Sequence, residues 1–416
     1  FEIKMSSILF KNANVILGES TEIQKNFDVM VQNDLIAQVS QTPLQPLEGM
    51  RVIDVKGKTL MPGLIDAHAH VTGLTLSPKN IFYSEAEIFL AAANYLKNSL
   101  FYGFTTLREA GGADFRIAQL LDNKSIPGPR LFYSGKALTQ TGGGADFRKP
   151  NEQIDPCGHV SSFSTMSVIA DGVDEVRKAA REELRKGATQ LKVFASGGVV
   201  FPSLSNPTLY EYSEEELSTI VEEAHARNTY VMAHAYSDES VRKCIKSGVR
   251  SIEHANFVSE PTVELMSESG VVYDPTFISL AQRIESAEQN RLSKAIVANL
   301  KNTIEKGKKV YEYALKYKIP IAFGTDLWGP EAQRDQLREF EMRKELDSAA
   351  NIIRSATVVN AELLMQKGKL GVISEGAYAD LLVVDGNPLV NLNVLLRPDE
   401  NLKLIMKDGV IYKNEL

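Results

Sequence analysis

The chain has 416 residues, of which 44% are hydrophobic and 24% charged, a composition typical of one large catalytic domain plus a smaller one. A formal net charge of −7 argues against a nucleic-acid partner, because the basic field that such binding needs is missing. No apolar run approaches the roughly 18 residues that cross a bilayer, and the two cysteines give neither a disulfide framework nor a Cys-x-x-Cys metal pattern, so no membrane partner is expected.

The two ends of the chain show the same pattern of residue types. Near the start, "ILFKNANVIL", "FDVMVQNDLIAQV" and "RVIDVKGKTLMPG" alternate apolar and polar residues between turn residues, which predicts short antiparallel strands. Near the end, "YADLLVVDG" and "LKLIMKDGVIY" repeat the pattern. We therefore expect a small β-sandwich domain assembled from both termini, residues 1–62 and 369–416, around a separate domain of residues 63–368. No signal peptide is visible and we expect a cytoplasmic protein, although removal of a leader stays open because the chain starts at Phe1.

The middle of the chain alternates strands with helices. The pattern in "DGVDEVRKAAREELRKG" predicts an amphipathic helix that ends at Gly187, and Ser213 with Glu216 predicts a capping box at the start of the next helix. Eight strands separated by helices indicate an α/β fold of the (β/α)8 TIM-barrel type, whereas a doubly wound sheet lacks its Gly-x-Gly-x-x-Gly turn. The predicted strands are 63–70, 105–110, 130–135, 191–196, 230–236, 251–256, 271–276 and 320–326.

Four of the six histidines fall at the carboxyl ends of predicted barrel strands, where barrel active sites are built. His68 and His70 are two residues apart, so on a strand they share one face and can bind one ion. A His-x-His pair alone could arise by chance, but His234 and His254 also end strands, and Asp326 adds a carboxylate at the end of the last one. These residue types predict a metal site suited to Zn²⁺.

The other two histidines carry less information. His225 falls on a predicted helix away from the strand ends, which favours a surface or packing role. His159 lies in the loop after the third strand, from which it could reach the barrel mouth.

Lys192 stands in the middle of the apolar segment "LKVFASGG" (191–198) with no acidic neighbour in sequence. A charged, unpaired lysine in a buried strand costs roughly several kcal/mol. From the residues alone, a Schiff-base lysine and a lysine that extends to solvent are both open.

These residues together resemble the amidohydrolase superfamily in its binuclear-metal arrangement. The resemblance rests on "MPGLIDAHAH" (61–70), Lys192, His234, His254 and "GTD" (324–326), and it extends to the terminal domain through "GVISEGAYADLLVVDGNP" (371–388). Within the superfamily, "YSEEEL", "AHAYS" and "SIEHA" are similar to the imidazolonepropionase-like branch, which includes prolidase-like Xaa-Pro dipeptidases of carboxypeptidase type.

The resemblance implies two divalent metal ions, with Zn²⁺ as the default, and a role for Lys192. In such proteins this lysine adds CO₂ to become N6-carboxylysine, a carbamate that bridges the two ions; burial favours the neutral amine that this reaction needs. His68, His70 and Asp326 would then hold the more buried ion, and the remaining predicted ligands, His234 and His254, the more exposed one. A hydroxide between the ions would be the nucleophile.

The resemblance also implies catalytic roles. Asp326 would move a proton from the nucleophile to the leaving nitrogen. From its position two residues past His234, on the same face if the strand continues, Tyr236 could donate to the oxyanion or contact substrate, or it could be an aromatic residue of the barrel rim. One position departs from the family pattern: relatives tend to have a histidine that holds the substrate carboxylate where "TGGGADFR" has Gly144. Arg148 or His159 are the candidates to replace that contact.

The predicted function is therefore a metal-dependent hydrolase of the amide bond in dipeptides or N-acyl amino acids. The alternatives are a hydrolase of cyclic amides or imidazolone rings, and a non-catalytic binding protein, which the presence of all six ligand positions disfavours. We expect a small-molecule substrate and a homo-oligomer.

Overall fold

The structure is a computed structural model that describes residues 7–20, 22–75, 83–148, 166–199 and 206–416. Its strands are β1 (Ser7–Val15), β2 (Gln24–Gln32), β3 (Leu35–Ser40), β4 (Arg51–Asp54), β5 (Thr59–Pro62), β6 (Leu64–Ala69), β7 (Phe104–Glu109), β8 (Arg130–Tyr133), β9 (Ala137–Thr139), β10 (Ser167–Ile169), β11 (Leu191–Phe194), β12 (Val231–Ser237), β13 (Ser251–Phe257), β14 (Val272–Asp274), β15 (Leu381–Val384), β16 (Leu402–Lys407) and β17 (Val410–Asn414).

The helices are α1 (Glu85–Phe101), α2 (Phe115–Asp122), α3 (Gly172–Arg185), α4 (Glu214–His225), α5 (Asp238–Ser247), α6 (Glu260–Ser269), α7 (Phe277–Glu285), α8 (Lys294–Lys316), α9 (Gly329–Ala332), α10 (Arg338–Arg343), α11 (Ala349–Arg354), α12 (Asn360–Leu363) and α13 (Pro398–Asn401). Short 3₁₀ turns at Gln333–Asp335 and Leu392–Val394 and a π-helical turn at Ser355–Val359 complete the helical segments. Among the described residues, none of these helices has the length and apolar character needed to cross a bilayer.

The chain divides into two compact units, and the first contains both chain ends: residues 1–66, 97–107 and 337–416. Its sheet has the strand order β17-β16-β15-β5-β1-β2-β3, with β4 beside β1, so both ends contribute strands as predicted. The sheet is mixed rather than purely antiparallel, because β1 pairs in parallel with β4 and β5. The exact bounds predicted for this domain stay a prediction.

Alternating residues of the terminal strands build the core of this first unit. Phe10, Val29, Leu381, Val383 and Leu404 are completely buried in one cluster. This period-two alternation is the one that the sequence shows.

The second unit, residues 67–96 and 108–336, contains the parallel strands that carry the predicted ligands. β9, β11, β12, β13 and β14 are hydrogen-bonded in that order, all in parallel. The segment 320–326 lies next to β14 in the sheet, because the Ala322 amide donates a hydrogen bond to the Tyr273 carbonyl at 2.7 Å.

The same segment also pairs with the end of β6, which closes the barrel. The Ala67 amide donates to the Phe323 carbonyl (2.7 Å), and the Asp326 amide donates to the His68 carbonyl (2.7 Å). The eight predicted strand segments therefore form a (β/α)8 barrel, in which the third strand is split into β8 and β9.

The predicted helix signals match the helices that position these strands. α3 covers the predicted amphipathic segment, and its capping residue is Asp171. Ser213 and Glu216 form the predicted capping box at the start of α4, with both reciprocal hydrogen bonds present.

Candidate metal centre and active site

The ends of β6 and of the last barrel segment bring three predicted ligands together. His68 and His70 lie on one face, as alternate residues of a strand must, with their ring centroids 5.4 Å apart. Asp326 Oδ1 lies 3.1 Å from His70 Nε2 and 3.5 Å from His68 Nε2. One ligand atom from each of the three residues falls within 4.8 Å of the others, a spacing that suits one metal ion.

The ends of β11, β12 and β13 place the other three predicted ligands beside this group. Lys192 Nζ is 3.4 Å from His68 Nε2. The His254 ring lies 5.3 Å from the His68 ring and 4.7 Å from the His234 ring, measured between centroids. The six predicted ligands thus form one continuous group at the carboxyl ends of the strands.

Burial sets the protonation of these side chains. It lowers the pKa of His68 to about 4 and that of His254 to about 3, and it lowers the pKa of His234 well below the ordinary value; the charge of Lys192 acts in the same direction. These imidazoles are therefore neutral near pH 7 and have lone pairs available for a metal. Burial also lowers the pKa of Lys192 to about 8, which gives much more neutral amine near pH 7 than an ordinary lysine has.

The carboxyl group of Asp326 is the most exposed of the six, with 16% of its side chain accessible. Burial opposes its ionisation, but the electrostatic interactions with His68 and His70 and the hydrogen bond from His70 outweigh that effect, so its pKa lies well below the ordinary value. Neutral imidazoles, an ionised carboxylate and a lysine that can become anionic form a donor set that fits two divalent ions.

A buried ion-pair network stands behind His68. Glu253 Oε2 lies 2.8 Å from His68 Nδ1, the ring nitrogen that faces away from Lys192 and Asp326. Arg108 donates to both oxygens of Glu253 at 3.0 Å, and its Nη2 is 3.9 Å from Asp274 Oδ2. Arg108, Glu253 and Asp274 have completely buried side chains.

The charges of this network favour a structural and orienting role over a metal-binding one. His68, Glu253 and Asp274 are close enough together to hold an ion, but the Arg108 guanidinium already supplies a positive charge there. A hydrogen bond at Nδ1 directs the other nitrogen, Nε2, toward the metal side, as acceptors behind metal-bound histidines commonly do.

Two of the predicted ligands have a strained backbone. His254 has a φ of 76° and Asp326 a φ of 52°, the left-handed region that non-glycine residues rarely adopt. Beside Asp326, Gly324 is required by space, because a Cβ there would lie 2.1 Å from Asp274 Oδ2 and 2.6 Å from His68 Cβ.

Tyr236, predicted as a catalytic contact, borders the histidines. Its ring stacks on His254 with centroids 5.0 Å apart and planes 11° apart, and it meets the His234 ring edge-on at 5.0 Å. Burial raises the pKa of the Tyr236 hydroxyl well above its ordinary value, so the hydroxyl keeps its proton and can donate.

The predicted substrate contacts are placed less favourably. Arg148 donates two hydrogen bonds to the Asp146 carboxylate, from Nε to Oδ1 at 2.8 Å and from Nη2 to Oδ2 at 2.6 Å. His159 lies outside the described residues. His225, expected away from the site, is exposed at the end of α4.

Glu211 anchors the glycine loop that departs from the family pattern. Its carboxyl group accepts hydrogen bonds from the Gly144 amide (2.5 Å) and from the Thr139 hydroxyl (3.3 Å). A Cβ on Gly143 would lie 2.3 Å from Glu211 Oε2, and one on Gly144 would lie 3.2 Å from the Phe194 ring. The loop therefore has no free space for a side chain at Gly143 and only tight space at Gly144.

Sequence reasoning missed four residues around the site: Arg108, Glu211, Glu253 and Trp328. The signal for Arg108 and Glu253 was available, since each is a charged residue inside a predicted buried strand, as Lys192 is. Trp328 and Glu211 lie in loops; nothing in the local sequence distinguishes Glu211, whereas Trp328 is the single tryptophan of the sequence and follows Asp326 by two residues.

Comparison with known proteins agrees with the fold. The amidohydrolase family profile matches residues 59–412. An ochratoxinase from Aspergillus niger is 30% identical over 430 aligned positions, which cover 96% of this chain and 86% of the relative.

Solved structures are similar over nearly the whole chain. A crystal structure of an amidohydrolase superposes with a TM-score of 0.94 at 40% identity and covers 99% of this chain and all of its own. A prolidase crystallised with N-methylphosphonate-L-proline gives a TM-score of 0.93 at 36% identity, covering 98% of this chain and 100% of that one. With this fold and this group of side chains, the chain belongs to the amidohydrolase family and is a hydrolase that acts on amide bonds.

Proposed function

We propose that the protein is a binuclear metal-dependent hydrolase of dipeptides or N-acyl amino acids. The observation that carries the proposal is the convergence of four strand-end histidines, Lys192 and Asp326 in one buried group. The names of its relatives support the substrate class, because one is a prolidase seen with a proline derivative and another is an ochratoxinase.

The six ligands divide into two sets. His68, His70 and Asp326 would hold one divalent ion, and His234 and His254 the other, with Lys192 between them. Nitrogen donors with one carboxylate favour Zn²⁺. When bound, the two ions supply a water-derived nucleophile near neutral pH and polarise the scissile carbonyl.

Lys192 would bridge the two sets as a carbamate. The neutral amine forms an N–C bond with CO₂, one C=O electron pair moves to oxygen, and the nitrogen loses a proton to solvent. The product is N6-carboxylysine, an anion with two oxygens. Burial, which lowers the pKa of Lys192 to about 8, supplies the neutral amine for this reaction.

Asp326 and Tyr236 would handle the proton and the developing charge. Asp326 is ionised and partly accessible, so it can accept a proton from the attacking water and pass it to the leaving nitrogen. Tyr236 keeps its hydroxyl proton and stands over His254, where it can donate to the oxyanion.

The substrate carboxylate is the least defined part of the proposal. Arg148 remains a proposed contact, but it would have to exchange its pairing with Asp146 to reach a substrate. The Gly144 position, without a side chain, indicates that carboxylate binding differs here from that of relatives with a histidine.

A substrate panel with metal analysis tests the proposal. Purified protein is assayed against Xaa-Pro and other dipeptides, N-acyl amino acids, and cyclic amides. We expect about two divalent ions per chain and turnover of linear amides, which Asp326→Asn abolishes and which the exposed-histidine control His225→Asn leaves unchanged. Hydrolysis of cyclic amides alone would show that the protein is a ring hydrolase and not a dipeptidase. Purified protein that is folded but contains no metal would refute the proposed metal centre.

A further inference from the structure

The only tryptophan of the chain, Trp328, stands against the proposed metal centre. Its indole Nε1–H donates to Asp326 Oδ1 at 3.2 Å, and its ring packs on the His70 ring with centroids 4.3 Å apart. A parallel bridge also joins the backbones of Trp328 and His70. One side chain thus contacts two proposed ligands of the same ion in two different ways.

The surroundings hold the indole in this place. Gly73 leaves the room for it, because a Cβ on Gly73 would lie 2.7 Å from the Trp328 ring. The ring is not simply a core residue, since Trp328 is only partly buried and also borders a cavity of about 370 Å³. Leu74, Gln282 and Glu331 are among the other residues that line this cavity.

We propose that Trp328 is a positioning residue that fixes the Asp326 carboxylate and the His70 ring for the metal ion, and that its emission reports metal binding. The inference rests on the proposed function, because it needs an ion at His68, His70 and Asp326. Asp326 Oδ1 lies between the indole N–H and both histidine Nε2 atoms. The indole donor therefore restrains the carboxylate in an orientation in which Oδ1 faces both imidazoles.

The first test uses the native protein and its own fluorescence. Protein freed of metal with a chelator, and shown by circular dichroism to be folded, is titrated with Co²⁺ while emission and bound metal are both measured. We expect the emission to be quenched in proportion to the Co²⁺ bound, because the indole contacts both His70 and Asp326, two of the residues that would hold the ion. Stoichiometric Co²⁺ binding with unchanged emission would overturn the inference while leaving the proposed function intact.

The second test separates positioning from packing. Trp328→Phe keeps an aromatic ring against His70 but removes the N–H that holds Asp326. We expect metal affinity, measured by competition with a chelating dye, to fall about 10- to 100-fold, with a changed Co²⁺ absorption spectrum and a larger effect on kcat than on KM. Tyr317→Phe, which removes a hydroxyl 3.4 Å from Glu260 on the outer helices, should match the native protein in all three readouts.

The outcomes distinguish the two proposals. Native metal affinity and a native Co²⁺ spectrum in Trp328→Phe would refute the positioning role. A folded native protein that binds no metal at all would overturn the metal centre and this inference together.

Discussion

Substitution of Arg108 tests how much the ion pairs behind His68 contribute to the stability of the protein. Arg108 is completely buried and donates to Ser251 Oγ at 2.9 Å, to both oxygens of Glu253 at 3.0 Å, and to the Ala67 carbonyl. Arg108→Met leaves the Glu253 carboxylate buried without its cation. We expect the free energy of unfolding to fall by about 3–5 kcal/mol, the usual cost of breaking a buried ion pair by removing one partner.

The double variant Arg108→Met/Glu253→Leu separates stability from metal binding. Replacing both charges with apolar side chains should restore at least about 2 kcal/mol of the loss, because no uncompensated charge remains between them. His68 still lacks the acceptor at its Nδ1, so metal affinity should stay about 10- to 100-fold below native. Urea unfolding in the presence of a chelator measures the first quantity, and competition with a metal-binding dye measures the second.

A second buried pair provides the matched control. Arg343 Nε and Glu339 Oε1 lie 2.7 Å apart, and both side chains are completely buried in the other unit of the chain. Arg343→Met should destabilise the protein to a similar extent and leave metal affinity unchanged. If the two substitutions at Arg108 and Glu253 prove additive in stability, or if the double variant binds metal like the native protein, the account of this network is wrong.

Three further outcomes are expected. Lys192→Ala should lose both metal ions and activity, with partial rescue by a short carboxylic acid; full activity would exclude a bridging lysine. Burial raises the pKa of Glu211 from 4.5 to about 8, so between these two pH values the folded protein keeps a proton that the unfolded chain has lost. The free energy of unfolding should therefore fall by about 1.4 kcal/mol for each unit by which the pH rises across that interval. Unfolding of Glu211→Gln at several pH values should lack that slope. Metal uptake by metal-free protein should require CO₂ or bicarbonate.

The barrel and the group of ligands could be predicted because both follow local rules. Parallel strands place their carboxyl ends at one edge, so residues that end strands meet even when they are far apart in sequence. His68 and His254, for example, are predicted neighbours and have ring centroids 5.3 Å apart. The terminal sheet followed from alternation, although its parallel pairings between β1, β4 and β5 did not.

The residues that sequence reasoning missed depend on side-chain directions and loop paths. Lys192 could be singled out because it is a charged residue inside a predicted buried strand. The residue that pairs with such a buried charge can come from any other strand, so the local sequence does not identify it, as with Glu253, which pairs with Arg108. The left-handed backbone conformation of His254 and Asp326 could not be predicted, because neither position is a glycine, the residue that normally indicates a positive φ. Trp328 reaches His70 because the chain beyond the last strand segment continues in parallel beside the end of β6, where a bridge joins the two residues.

The buried charges explain why metal uptake should depend on CO₂. With the histidines neutral, and with the buried carboxyl group of Glu109 protonated because burial raises its pKa to about 8, the interior group contains two cations, Arg108 and Lys192, and three carboxylates, Glu253, Asp274 and Asp326, a formal charge of minus one. Two divalent ions would change this to plus three if Lys192 stayed an ammonium. Such an excess of charge is unfavourable in a site of low dielectric constant.

Conversion of Lys192 into a carbamate lowers that total by two charges, to plus one, which one anionic ligand derived from water can neutralise. Carbamate formation and metal binding should therefore stabilise each other. Metal-free native protein titrated with Zn²⁺ in CO₂-free buffer should bind weakly, and added bicarbonate should restore tight binding, whereas Lys192→Ala should show no response to bicarbonate. Equal Zn²⁺ affinity of the native protein with and without bicarbonate would refute this coupling, because the carbamate would then contribute nothing to the charge balance of the site.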